Sequence, residues 1–343
     1  MRTWTLRLVI AVLAICVGNS MALAAKPKPP GQPKAGPGGA GDYKHAKVKT
    51  TSAGKGGEKV WMMEPAKPAP KKAPVVILLH GWGTWGPVVY RQWSTHLVRR
   101  GNIVIHPKYQ ANHATLPSKM TANAIAGIKT ALAELKKEGR VQPDETKVAV
   151  VGHSVGGVLA ANVAAMAKKE GLPQPLAVMS LQPGDPKLSK FGKNLSKIDL
   201  EIKTILRDYS TIPKGTLMIV TVGDADPVVA DDTAKLIWQG VQHLPAADRD
   251  YVTFQSDLHG SPKLKALHSI PTAPARNSLI DFTKATTNAH DYYGTWKLLD
   301  GLLDAAFYKK NRKYALGDTP EQRFLGKWSD GTPVKELKVL KKK

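Results

Sequence analysis

Six apolar, β-branched runs separated by helical patterns leave few folds open to this chain. They are Val75–His80, Asn102–His106, Lys147–Val151, Pro175–Leu181, Thr216–Val222 and Tyr251–Gln255. Most show little polar/apolar alternation, as strands buried on both faces of a parallel sheet do. Between them Ala122, Ile125, Ile128, Ala131 and Leu135 recur at helical spacing, as do Val158, Ala161, Val163 and Ala165. This alternation predicts an α/β fold, with a mostly parallel central sheet and helices on both faces, in one domain. Upstream, Lys44–Thr51 and Glu58–Met63 flank a Gly-rich stretch and predict an N-terminal antiparallel hairpin. A last helix, from about Tyr292 to Lys310, places Trp296, Leu299, Leu303, Ala306 and Phe307 on one face.

The two ends read differently from the middle. Arg2 and Arg7 precede an apolar run, Leu8 to Val17, that is too short to span a bilayer. Ala22-Leu23-Ala24 then supplies small residues at a cleavage spacing, so residues 1–24 are expected to be a signal peptide. Secretion, or export to a periplasm, follows, with no transmembrane span after cleavage. Cys16, the single cysteine, lies inside that leader, which suits an oxidising compartment. Residues 25–43 are Lys, Pro and Gly-rich and are expected to be a flexible linker. Residues 44–343 are expected to form the domain, ending in a basic tail.

The net charge of +23, from 50 Lys+Arg against 27 Asp+Glu, raises the question of nucleic acid. Its distribution answers it. Residues 26–72 carry +8 and residues 309–343 carry +7, whereas the body, 73–308, carries only +6. Charge gathered at the ends fits loose contact with an anionic cell-surface polymer rather than specific nucleic-acid reading. A nucleotide site is excluded too, since neither G-x-x-x-x-G-K-[ST] nor a strand followed by G-x-G-x-x-G is present. No metal-ligand spacing is visible, and no cofactor is implied.

The chemistry centres on Gly152-His153-Ser154-Val155-Gly156, a G-x-S-x-G sequence. The strand residues Val148–Val151 precede it directly, and the helical Gly157–Ala161 follows. So sharp a strand-to-helix turn strains its central residue and lifts the Ser154 hydroxyl above the sheet edge.

With Leu78-Leu79-His80-Gly81-Trp82-Gly83 after the first parallel strand, the Gly152–Gly156 turn, Gly223-Asp224-Ala225-Asp226 and His259, the chain resembles the α/β-hydrolase family over roughly residues 45–310. Within it, the sequence is most similar to secreted dienelactone-hydrolase-like and lipase-like serine esterases. The resemblance implies a triad in the order Ser, Asp, His. Asp226 matches the family's spacing for the acid, with Asp224 as the alternative. His259, just past Tyr251–Gln255, stands where the family places its base, with His268 as the runner-up in a helix-like stretch. Asp257 braces the His259 loop in this reading, and His80 and His153 are structural. The oxyanion donors would be the backbone N–H groups of Val155 and Trp82, with Gly83 as the near alternative. Trp85 and Tyr90 are candidate lining for an apolar substrate pocket, or packing for the loop that carries them. About 35 residues separate Leu181 from Thr216, too few for a large cap domain, with Ile198–Leu206 expected as helix. Trp328-Ser329-Asp330-Gly331 reads as a turn.

These expectations define a serine hydrolase that cleaves small-molecule or lipid-like carboxylic esters through an acyl-enzyme. Peptidase and thioesterase chemistry remain open on the same residues. A dehalogenase would need a carboxylate where Ser154 sits. The alternative is an inactive hydrolase scaffold that holds a cell-surface polyanion through its basic ends.

Overall fold

The computed structural model describes residues 26–185, 208–274 and 285–340. The expected signal peptide and the helix expected over 198–206 lie outside the described residues. Nine strands form one sheet: β1 (Lys47–Ala53), β2 (Val60–Ala66), β3 (Lys72–Leu79), β4 (Ile103–Pro107), β5 (Gln142–His153), β6 (Ala177–Leu181), β7 (Leu217–Gly223), β8 (Arg249–Phe254) and β9 (Lys338–Val339). Their order is β1-β2-β4-β3-β5-β6-β7-β8-β9. Strands β4, β3, β5, β6, β7 and β8 run parallel to one another. The predicted hairpin is present as β1 against β2, which continues antiparallel onto β4.

All six apolar runs became strands, and the reason is two-sided burial. On β3, Val76 and Leu78 face one core, while Val75, Ile77 and Leu79 face the other. The first core packs against helices α1 (Arg91–Arg99) and α5 (Lys297–Tyr308). The second packs against α2 (Pro117–Leu135), α3 (Val155–Met166) and α4 (Asp232–Gly240). A strand with apolar demand on both faces has no reason to alternate. The expected last helix opens with a π-helical turn, His290–Trp296, and continues as α5.

The two ends depart from expectation. Residues 26–43, expected as a flexible linker, lie along the domain. Pro27 O accepts from Ser261 N at 2.8 Å, and Gly38 N donates to the buried Asp300 Oδ2 at 2.7 Å. That carboxylate also holds His96 Nε2 at 2.8 Å and Arg100 Nε at 3.2 Å. Main-chain bonds and one buried acid thus anchor a segment with little to bury. The expected basic tail is docked as well. Leu325, Trp328, Val334 and Leu337 are buried, and β9 pairs antiparallel with β8. Lys297 Nζ donates to the carbonyls of Glu321, Gln322 and Phe324. The carbonyls at the end of the short helix α6 (Pro320–Arg323) are thereby met by a buried ammonium. Among the described residues, no helix is long and apolar enough to cross a membrane.

Candidate active site

The parallel strands all deliver their C-terminal ends to one edge, and the chemistry collects there. Ser154 follows β5 with φ 59° and ψ −126°, a conformation that a residue with a side chain adopts only under strain. Its N–H donates to Leu181 O at 3.0 Å, and its carbonyl accepts from Gly157 N at 2.8 Å. The flanking glycines are required by close approach. A Cβ on Gly152 would overlap Gly156 O, and one on Gly156 would overlap the carbonyl oxygens of Leu79 and His80. Ser154 therefore stands at the N-terminus of α3, where Val155 N–H has no acceptor one turn back.

The loop after β3 lies against this elbow. A Cβ on Gly81 would come within 3.3 Å of Ser154 Cβ. Thr84 closes the loop by donating through Oγ1 to Gly81 O at 2.9 Å. Gly83 N–H is already engaged with Gln110 Oε1 at 3.0 Å, so this alternative donor is spent inside the loop. The half-buried Trp82 ring lies 4.8 Å from His113, and the Trp85 ring meets His113 edge-on at 4.5 Å. Lys108 Nζ sits 5.4 Å from the Trp85 ring centre.

Tyr90 corrects an expectation. As a pocket-lining residue it would show its ring to the site, but it is fully buried beneath the loop. Gly81 N donates to its hydroxyl at 2.9 Å, and the hydroxyl meets His153 Nδ1 at 2.8 Å. Burial pushes its phenol well above the usual range.

Asp226, after β7, is held by four donors. Its Oδ1 accepts from Val228 N at 2.8 Å and Val229 N at 3.1 Å. Its Oδ2 accepts from Gln182 Nε2 at 3.0 Å and His268 Nδ1 at 2.7 Å. The His268 ring then packs 4.6 Å from that of His153, the neighbour of Ser154. Gln182 also donates to Leu267 O at 2.9 Å, which fixes the chain on either side of the pair.

His259 is elsewhere. It is exposed, and its Nε2 meets Asp330 Oδ2 at 2.7 Å. The structure thus brings His268, not His259, to Asp226. The physical reason is the turn between them. Asp257 and Leu264 exchange backbone bonds of 2.7 and 2.9 Å, so the chain folds back after β8. His259 is exposed on that turn, and the chain returns to the end of β7 at Ala266, whose carbonyl takes Ala225 N at 3.3 Å, so that His268 reaches Asp226. Asp257 does brace the turn, accepting from His259 N at 2.9 Å, and also takes Trp328 Nε1 at 3.0 Å. Asp224 is spent on Ser256, through its N at 2.8 Å and Oγ at 2.5 Å. Nothing local to residues 263–268 marks His268 in the sequence.

His80 and His153 are both buried. His80 reaches Gly81 O and Lys108 O, both at 2.7 Å, and burial lowers its imidazole to about 4. Burial lowers His153 well below the ordinary histidine value.

A strained serine opens α3, and a part-buried Asp–His pair packs against its neighbour His153. Residues 77–256 match the model of the alpha/beta hydrolase fold family, and the chain belongs to that family. Membership supports a hydrolase acting on a small-molecule substrate. No curated protein matches the chain.

Proposed function

We propose that the protein is an exported serine hydrolase of carboxylic esters, with Ser154 as nucleophile, His268 as general base and Asp226 as its orienting acid. The observation that carries this reading is the 2.7 Å bond between His268 Nδ1 and Asp226 Oδ2, formed on a ring that packs against the residue next to Ser154. Asp226 Oδ2, by accepting the Nδ1 proton, leaves the lone pair of the neutral ring on Nε2. That nitrogen takes the proton of Ser154 Oγ as the oxygen attacks the ester carbonyl. The carbonyl oxygen gathers negative charge against the N–H groups of Val155 and Trp82. His268 then returns its proton to the departing alkoxide. Water attacks the acyl-enzyme by the same route and releases the acid. Export rests on the leader-like residues 1–24.

The test is hydrolysis of p-nitrophenyl acetate by purified wild type and Ser154→Ala. The variant is expected to fall by about 10³-fold or more. A Ser154→Ala protein as fast as wild type would refute the reading.

A further inference from the structure

We propose that Tyr90 and His153 are positioning residues of this site, joining the oxyanion loop to the nucleophile elbow through one phenolic hydroxyl and holding a neutral imidazole under the base. The inference rests on the reading of Ser154, His268 and Asp226 given above.

The bonding pattern carries it. Tyr90 Oη has one proton and receives the Gly81 N–H at 2.9 Å. Its own proton is therefore free to go to His153 Nδ1, 2.8 Å away. Gly81 opens the loop whose next residue is Trp82, so this bond fixes the peptide that leads into the oxyanion donor. His153 precedes Ser154, so the same hydroxyl fixes the residue behind the nucleophile. Both partners and the phenol are buried, which leaves no water to substitute for either bond.

The pattern also sets charge. With Nδ1 accepting from Tyr90, His153 is the neutral tautomer. Protonating Nδ1 would remove the acceptor of the Tyr90 proton, so this bond favours the neutral ring. Burial acts in the same direction. The consequence falls on His268, whose ring lies 4.6 Å away at an interplanar angle of 42°. That ring becomes cationic when it takes the Ser154 proton. A neutral His153 beneath it leaves this charge unopposed, whereas a second imidazolium would work against it.

The experiment measures kcat and KM for p-nitrophenyl acetate per active site, counted by fluorophosphonate titration so that misfolded protein drops out. Tyr90→Phe is expected to lower kcat by about tenfold or more with KM within about threefold, because the lost bond orients groups that act in the transition state. His153→Leu is expected to fall as far. His153→Asn, whose Oδ1 replaces Nδ1 as an acceptor, is expected to keep kcat within about threefold of wild type. Because both residues act through one hydroxyl, the double variant Tyr90→Phe/His153→Leu is expected within about threefold of either single variant. A wild-type kcat per site in Tyr90→Phe, or losses that multiply in the double variant, would overturn the proposal. Failure of the underlying site is read separately, as full activity in Ser154→Ala or His268→Ala.

Discussion

Replacing Asp226 by asparagine keeps the shape of the side chain and leaves it two orientations, both in conflict with the donors around it. With the amide nitrogen in the Oδ1 position, its hydrogens face Val228 N–H and Val229 N–H, and two bonds are lost. At about 1–2 kcal/mol for each bond to a buried group, that orientation costs roughly 2–4 kcal/mol. With the nitrogen in the Oδ2 position, the amide opposes Gln182 Nε2 and faces His268 Nδ1. Only the Gln182 bond is lost if His268 moves its proton to Nε2, so this orientation costs roughly 1–2 kcal/mol. Stability therefore selects the orientation in which Nε2 carries a proton and cannot accept one from Ser154. The expected result is a small loss of stability with a fall in kcat of about 10³–10⁴-fold, or roughly 4–5.5 kcal/mol in barrier. The assay is steady-state hydrolysis of p-nitrophenyl acetate beside a urea melt. Asp224→Asn and Asp330→Asn serve as controls, since Asp224 holds Ser256 and Asp330 holds His259. An Asp226→Asn enzyme within threefold of wild-type kcat, or an equal loss in Asp330→Asn, would refute the assignment.

The two histidines separate in the same assay: His268→Ala is expected to lose about 10³-fold or more in kcat, and His259→Ala to stay within about twofold of wild type. Gly156→Ala sets a methyl into the carbonyls of Leu79 and His80 and is expected to lose about 3 kcal/mol or more in a urea melt. Gly215→Ala, with open space at the Cβ, is its control, and equal midpoints for the two would contradict the close approach. Burial lowers His80 and His290 to about 4 and His106 to about 3, against an ordinary 6.5. In that interval the unfolded chain binds protons that the folded protein does not, so stability rises with pH up to about 6.5 and is lost in acid. Each of these groups adds about 1.4 kcal/mol per pH unit to the slope, so His106→Asn is expected to flatten a plot of urea-melt stability against pH by up to that amount. An unchanged slope would count against a neutral buried His106.

Much of the fold was legible because burial on both faces of a parallel strand leaves a mark on every residue. Val75, Val76, Ile77 and Leu78 needed no partner to be identified as a strand, and neither did Val148–Val151. The turn at Gly152–Gly156 was legible because its pattern is contiguous, with a strand directly before it and a helix directly after, even though Gly156 answers to the distant carbonyls of Leu79 and His80. The position of His268 was not, because it depends on how the chain folds back through the Asp257–Leu264 bridge. That is a matter of main-chain hydrogen bonding, which side-chain pattern does not record. Of the two roles open to Tyr90, lining a pocket or packing under its loop, its buried position matches the second, and its hydroxyl has two partners that only the fold brings together. The ends were hardest. Residues 26–43 attach through peptide groups, and residues 311–340 through scattered apolar side chains such as Leu316, Leu325, Trp328 and Val334, at no helical or strand period. Their lysines made both segments look like solvated tails. One of the basic residues just before them, Lys297, is instead buried against three carbonyls.

The most direct test of the account is covalent labelling with a fluorophosphonate, with the modified residue located by peptide mass spectrometry. The account predicts one adduct, on Ser154, formed at wild-type rate in His259→Ala and lost in His268→Ala. An adduct on another residue, or labelling of Ser154→Ala at the wild-type rate, would contradict it.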